Sequence, residues 1–211
     1  MRVLIVAAGV LALTACNPST TPPPPPVDEA QQADDDQPLI LSCGTFANLT
    51  GASLATTYGA ENVSEATLPG PEGQSYMATV LFPNDPTRRL EITWQDPATK
   101  LVPSSLSVSG ENSIWSGPHS LTIGAPLADI EAANGKAFAL WGFGWDYGGW
   151  VSNWNDGAFA PVSGCTTRVR FDPSASATSA QGDAEFQSDD EAVRRAAAHV
   201  AEFGISYATP Q

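Results

Sequence analysis

Residues 17–38 set the first limit on what this chain can fold into. Five consecutive prolines, Pro22–Pro26, are followed by Asp28, Glu29, Asp34, Asp35 and Asp36, with no Lys or Arg and almost nothing apolar. Such a stretch cannot bury enough surface to offset the entropy of ordering it. A proline run is instead a stiff polyproline II spacer that advances about 3.1 Å per residue. It reads as a tether rather than a partner-binding arm. Asp34–Asp36 is not followed by the Gly and Glu that a calcium loop requires. A packed core must therefore come from residues 39–211.

The segment ahead of the tether reads as a targeting signal. Arg2 precedes an apolar run, Val3–Leu13, which is shorter than the ~20 residues needed to span a bilayer. It ends in Leu13-Thr14-Ala15-Cys16, and this tetrapeptide resembles the bacterial lipobox. The resemblance implies a signal peptide over 1–15, cleavage before Cys16, acylation of Cys16 by palmitate-like chains, and a lipidated tether over 16–38. Each buried methylene adds about 0.8 kcal/mol, so several chains anchor durably. Asn17 rather than Asp follows the cysteine. In Gram-negative lipoproteins an Asp there signals inner-membrane retention, so the resemblance implies an outer-membrane anchor facing the periplasm.

The chain has three cysteines. With Cys16 assigned to lipid, Cys43 and Cys165 remain in an oxidising compartment, where a disulfide is expected. No CxxC spacing supports redox work. The formal charge of −14 argues against a nucleic-acid binder, which needs clustered Lys and Arg. Three cysteines fall short of a four-cysteine zinc site, two histidines leave little room for His-rich metal chemistry, and no cofactor or metal is expected. Eighteen acids and eight bases fall in 39–211. That bias serves solubility and leans toward a basic partner.

Two segments repeat. Leu49–Tyr58 ends at Gly59, and Ala125–Asn134 ends at Gly135; each reads as a short helix with a glycine cap, aligning Leu54 with Ile130. Strand patterns follow each helix: about Tyr76–Phe82, Arg89–Gln95 and Ser105–Ser109 after the first, and Phe138–Trp145, Trp150–Asn155 and Cys165–Phe171 after the second. Asn84-Asp85-Pro86 and Asp146-Tyr147-Gly148-Gly149 supply the turns. Glu191–Ala201 reads as a tail helix, Phe203–Ala208 as a last strand, and 172–188 as loop. The fold class expected is α+β: two tandem helix-plus-antiparallel-sheet repeats (about 44–115 and 116–171) joined by one disulfide, with a C-terminal extension over 172–211.

The glycine-bracketed helix before an antiparallel sheet, duplicated at this length, resembles the tandem repeat of secreted β-lactamase inhibitor protein. It is also similar to the small lipoprotein of the outer-membrane β-barrel assembly machine. Repeat one departs from the pattern, with Asn48 where the leading Gly would stand. Both families bind another protein through a sheet face or its loops, without chemistry. The resemblance implies the same here, with a periplasmic or surface protein as partner and no functional residue carried over.

The segment Trp141-Gly-Phe-Gly-Trp145-Asp-Tyr147-Gly-Gly-Trp150, followed by Trp154, concentrates the aromatics. In a strand, Trp141, Phe143 and Trp145 would share one face. These rings are either core or a platform for sugar rings or a protein hot spot. A mixture is expected, with Trp145, Tyr147 and Trp150 near the hairpin tip outside. The candidate partner-binding residues are Trp141, Trp145, Tyr147, Trp150 and Trp154. Catalytic signals are sparse. No GxSxG elbow exists, and His119 beside Ser116 and Ser120 sits in a turn-like context. Asp146 and Asp156 could pair as glycosidase carboxylates, yet hairpin turns use Asp and Gly anyway. The sequence thus points to a lipid-anchored, non-catalytic envelope binding protein acting as an inhibitor, immunity or assembly factor. Glycan binding through the tryptophans is the alternative, and a hydrolase using Asp146 and Asp156 the weakest reading.

Overall fold

A computed structural model describes residues 39–46, 48–174 and 178–208; Cys16, the signal and the tether lie outside them. Thr50 opens helix α1 (Gly51–Tyr58) with a capping box. Its hydroxyl accepts from the Ser53 amide, and the Ser53 hydroxyl accepts from the Thr50 amide. Gly59, at φ 86°, ends the helix. Strands β1 (Val63–Pro69), β2 (Ser75–Leu81), β3 (Leu90–Trp94) and β4 (Pro103–Ser109) then run as an antiparallel meander. The sequence pattern does not announce β1. It is an edge strand with no fully buried position, so its alternation is weak.

The second half starts the same way. Helix α2 (Leu127–Asn134) buries Ile130, as α1 buries Leu54, and stops at Gly135 in the left-handed region. Its strands then divide. β5 (Ala139–Trp141) and β6 (Val151–Asn153) pair with each other, and β5 also pairs with β8 (Glu185–Gln187), inside the span expected to be loop. β7 (Cys165–Asp172) joins the edge of the large sheet instead. The fold is α+β, with three α-helices and two antiparallel sheets among the described residues, ordered β1-β2-β3-β4-β9-β7 and β6-β5-β8.

The tail differs from expectation in its boundary. Helix α3 covers only Glu191–Ala196, because Ala197 turns into the left-handed region at φ 45°. β9 (His199–Tyr207) then inserts between β4 and β7. Local helix propensity loses to two full ladders of long-range hydrogen bonds. Cys43 and Cys165 form the expected disulfide, with Cα atoms 5.9 Å apart across 122 residues of sequence.

The large sheet has two unlike faces, set by the period of two along each strand. Leu81, Ile92, Leu106, Val169, Phe203 and Ile205 are buried on one face, in one core with Leu54, Ile130 and Phe138. The opposite face presents Tyr76, Glu91, Thr93, Ser107, Arg168 and Glu202, with Glu91 paired across to Ser107 and Arg168 to Gly204.

Candidate functional site

The 142–150 segment joining β5 to β6 folds over the polar face of the large sheet. Trp141 and Trp150 exchange a backbone hydrogen bond at 2.9 Å, the Gly149 amide donates to the Trp141 carbonyl at 3.0 Å, and the Gly148 amide to that of Trp145 at 2.9 Å. Gly149 ties the hairpin to the large sheet by accepting from the Phe171 amide at 2.9 Å. Its φ is 78°, and a Cβ there would fall 1.9 Å from the Phe171 carbonyl oxygen, so only glycine fits. At the tip, an Asp146 carboxylate oxygen accepts the Glu72 amide at 2.7 Å, bridging to the β1–β2 turn. Between hairpin and sheet lies a crevice of about 780 Å³.

All five aromatic residues expected at a binding surface border this crevice, in unequal ways. Trp141 and Trp145 meet edge-to-face at 6.1 Å, and Trp145 and Tyr147 at 5.3 Å. The Trp145 indole N–H donates to the Gly142 carbonyl at 2.9 Å. Trp145 and Tyr147 remain 38% and 41% exposed at the rim. Trp150 is half-buried, with the Arg168 guanidinium carbon 4.3 Å from its ring centroid. Trp154 is a core ring, 4% exposed. Its indole N–H donates to the Thr167 carbonyl at 2.9 Å, and it packs on Phe138 and Phe159 at 4.9 and 4.8 Å. Phe143 does not share a face with Trp141 and Trp145: it is buried in the core. The strand stops at Trp141 and Gly144 takes φ 83°, so alternation no longer applies beyond it.

The floor was not singled out in the sequence. Its alternation is legible, for example in Cys165-Thr-Thr-Arg-Val-Arg-Phe-Asp172 with every second residue buried. What the sequence lacks is any sign that the outward positions of β2, β3, β4, β7 and β9 face one hairpin. Thr93 shares hydrogen bonds of 2.7 Å with Ser104 and with Ser105. Glu91 pairs with Arg89 at 2.9 Å. Glu202 accepts from the Ser107 hydroxyl and lies 3.6 Å from Arg170, which also pairs with Asp172. Burial pushes the Tyr76 hydroxyl pKa up, Glu91 and Glu202 add to the rise, and Arg168 opposes it.

The carboxylates considered for hydrolysis are not brought to one place. Asp146 borders the crevice and is engaged by the Glu72 amide, whereas Asp156 is absent from its lining and sits in a left-handed turn with Asn155. His119 packs edge-on to Phe159 at 5.0 Å, with its Nε2 3.2 Å from the Ala158 carbonyl. His199 begins β9 rather than lying on a helix. Among the described residues, no group of three or more His, Cys, Asp or Glu is placed to hold a metal ion. None of their helices is long and apolar enough to cross a membrane. Comparison with protein-family models, with curated proteins and with solved structures finds no match.

Proposed function

We propose that this protein is a lipid-anchored, non-catalytic binding protein of the cell envelope that holds a glycan in the crevice between the Trp hairpin and the large sheet. The observation that carries this reading is the convergence of Trp141, Trp145 and Tyr147 opposite the hydroxyls of Thr93, Ser105 and Ser107. A pyranose has apolar C–H faces and hydroxyl edges, and a wall of rings over a hydroxyl floor complements both. The volume of about 780 Å³ fits the ~300–1,000 Å³ typical of ligand sites. An acylated Cys16, as the lipobox resemblance implies, would hold this crevice within reach of the cell wall.

The test is titration with soluble peptidoglycan fragments, followed by tryptophan fluorescence. Saturable quenching is expected. Trp145→Ala should weaken binding about tenfold, in line with the ~0.5–1.5 kcal/mol of one aromatic contact. A flat titration rejects the glycan reading.

A protein partner is the second reading, favoured by three large exposed rings at one rim: Tyr76, Trp145 and Tyr147. Exposed aromatics are what interface hot spots use, and the acidic body of an inhibitor, immunity or assembly factor would suit a basic target. Capture of a basic envelope protein, lost on Trp145→Ala without any sugar response, would favour this reading over the first.

A further inference from the structure

The charges lining the crevice are not equally occupied. Glu91 is paired with Arg89, Glu202 is held by Ser107 and Arg170, Arg170 also holds Asp172, and Asp146 takes the Glu72 amide. Arg168 differs. Among the described residues no carboxylate lies within ion-pair distance of it, and no hydrogen bond engages its guanidinium. Its close partner is the Trp150 ring, 4.3 Å away. Arg89, Lys100, Arg170, Arg194 and Arg195 all pair with carboxylates. In a chain with 23 acids and 9 bases, an arginine facing a cavity without such a partner calls for a reason.

The geometry supplies one. A guanidinium stacked on a ring uses its flat face and leaves its in-plane N–H donors free. Those donors form the fork that carboxylates fill with two parallel hydrogen bonds. Trp150 is itself fixed by its backbone bond to Trp141 and its bridge to Arg170, so the cation is held in place before any ligand arrives. Tyr76 stands among the same charges and offers its phenol hydroxyl as a further donor.

We propose that the crevice selects a glycan carrying a carboxylate, which Arg168 binds while Trp145 and Tyr147 contact the sugar ring. This rests on the glycan reading and narrows it to acidic sugars, although the protein as a whole is acidic. The test uses three probes built on one pyranose: N-acetylmuramic acid, its neutral methyl ester, and N-acetylglucosamine, which lacks the carboxylate-bearing side group. The acid should bind at least tenfold more tightly than the other two. That preference should shrink with added salt and vanish in Arg168→Gln. Arg168→Lys, which keeps the charge without the fork, should keep a smaller preference and serves if Arg168→Gln fails to fold by circular dichroism. Trp145→Ala should weaken all three probes alike.

Equal binding of acid and ester, or a preference that survives both Arg168→Gln and Arg168→Lys undiminished, overturns the carboxylate assignment and leaves glycan binding standing. No response to any of the three probes or to larger peptidoglycan fragments overturns the glycan reading itself. Binding of a short peptide with a free C-terminal carboxylate, but of none of the sugars, overturns both in favour of a peptide site.

Discussion

The two halves of this chain begin alike and end differently. Each opens with a short helix that buries one aliphatic side chain, Leu54 or Ile130, and stops at a glycine of positive φ, Gly59 or Gly135. After Gly59 the chain runs four strands into one meander. After Gly135 it spreads its strands over two sheets. The first half turns on polar side chains, as where Asp85 accepts from the Thr87 amide and hydroxyl at 2.9 and 2.7 Å. The second turns on glycines between aromatic residues, and its hairpin leaves the sheet plane to face the other half. The regular half supplies much of the floor, and the irregular half supplies the wall. The crevice arises because the second half does not repeat the first.

The strongest way to break this comparison is to uncouple the halves. Cys43→Ser with Cys165→Ser should lower unfolding stability by about 5 kcal/mol, the loop-closure expectation for a link across 122 residues. Denaturant melts of oxidised and mutant protein read this directly; a loss under about 1 kcal/mol would mean the halves hold together without it.

Two tryptophans on either side of β6 sharpen the division between wall and core. Trp154→Ala should cost about 3–5 kcal/mol, as a buried aromatic truncation does, because its ring and indole N–H are satisfied inside. Trp145→Ala should cost under about 1 kcal/mol, since that ring stands at the rim. Equal costs by thermal unfolding would contradict the assignment of one ring to the core and the other to the crevice.

The two turns set a backbone requirement of the second half against a side-chain bond of the first. Gly149→Ala should cost about 2 kcal/mol or more, since the position combines positive φ with a backbone contact. Asp85→Ala should cost only about 1 kcal/mol at neutral pH. The bond from the Thr87 hydroxyl, with smaller help from backbone amides, holds the Asp85 carboxyl pKa below its ordinary value. A depressed folded pKa stabilises above the unfolded value of about 4 and loses that contribution as pH falls through the folded one. Melts of wild type and Asp85→Ala should therefore converge in strong acid, and a constant gap would exclude this cause.

Much of the fold was legible. The helix ends were marked by glycines at 59 and 135, and β3, β4 and β7 by alternation. Cys43 and Cys165 were the cysteines left once Cys16 was set aside. What stayed hidden were elements whose existence depends on distant partners. β1 and β8 have weak patterns of their own and form because β2 and β5 offer open edges. β9 replaces the end of a plausible helix because Val200 finds Ala125, and Phe203 finds Val108 and Val169. At the site, the sequence named the aromatic wall and missed the floor, since outward polar positions on five strands look like ordinary solvated faces until a hairpin covers them.

By itself, the sequence determined the short-range features: two capped helices, alternating strands and a glycine-spaced run of aromatics. These follow from the entropy, dihedral limits and side-chain period of each local stretch. Only the tertiary structure decided which rings face inward, that five strands offer one floor, and that Arg168 has a ring for a neighbour where Arg170 on the same strand has carboxylates. Charge pairing and cavity shape are properties of groups far apart in the chain, and no local pattern encodes them.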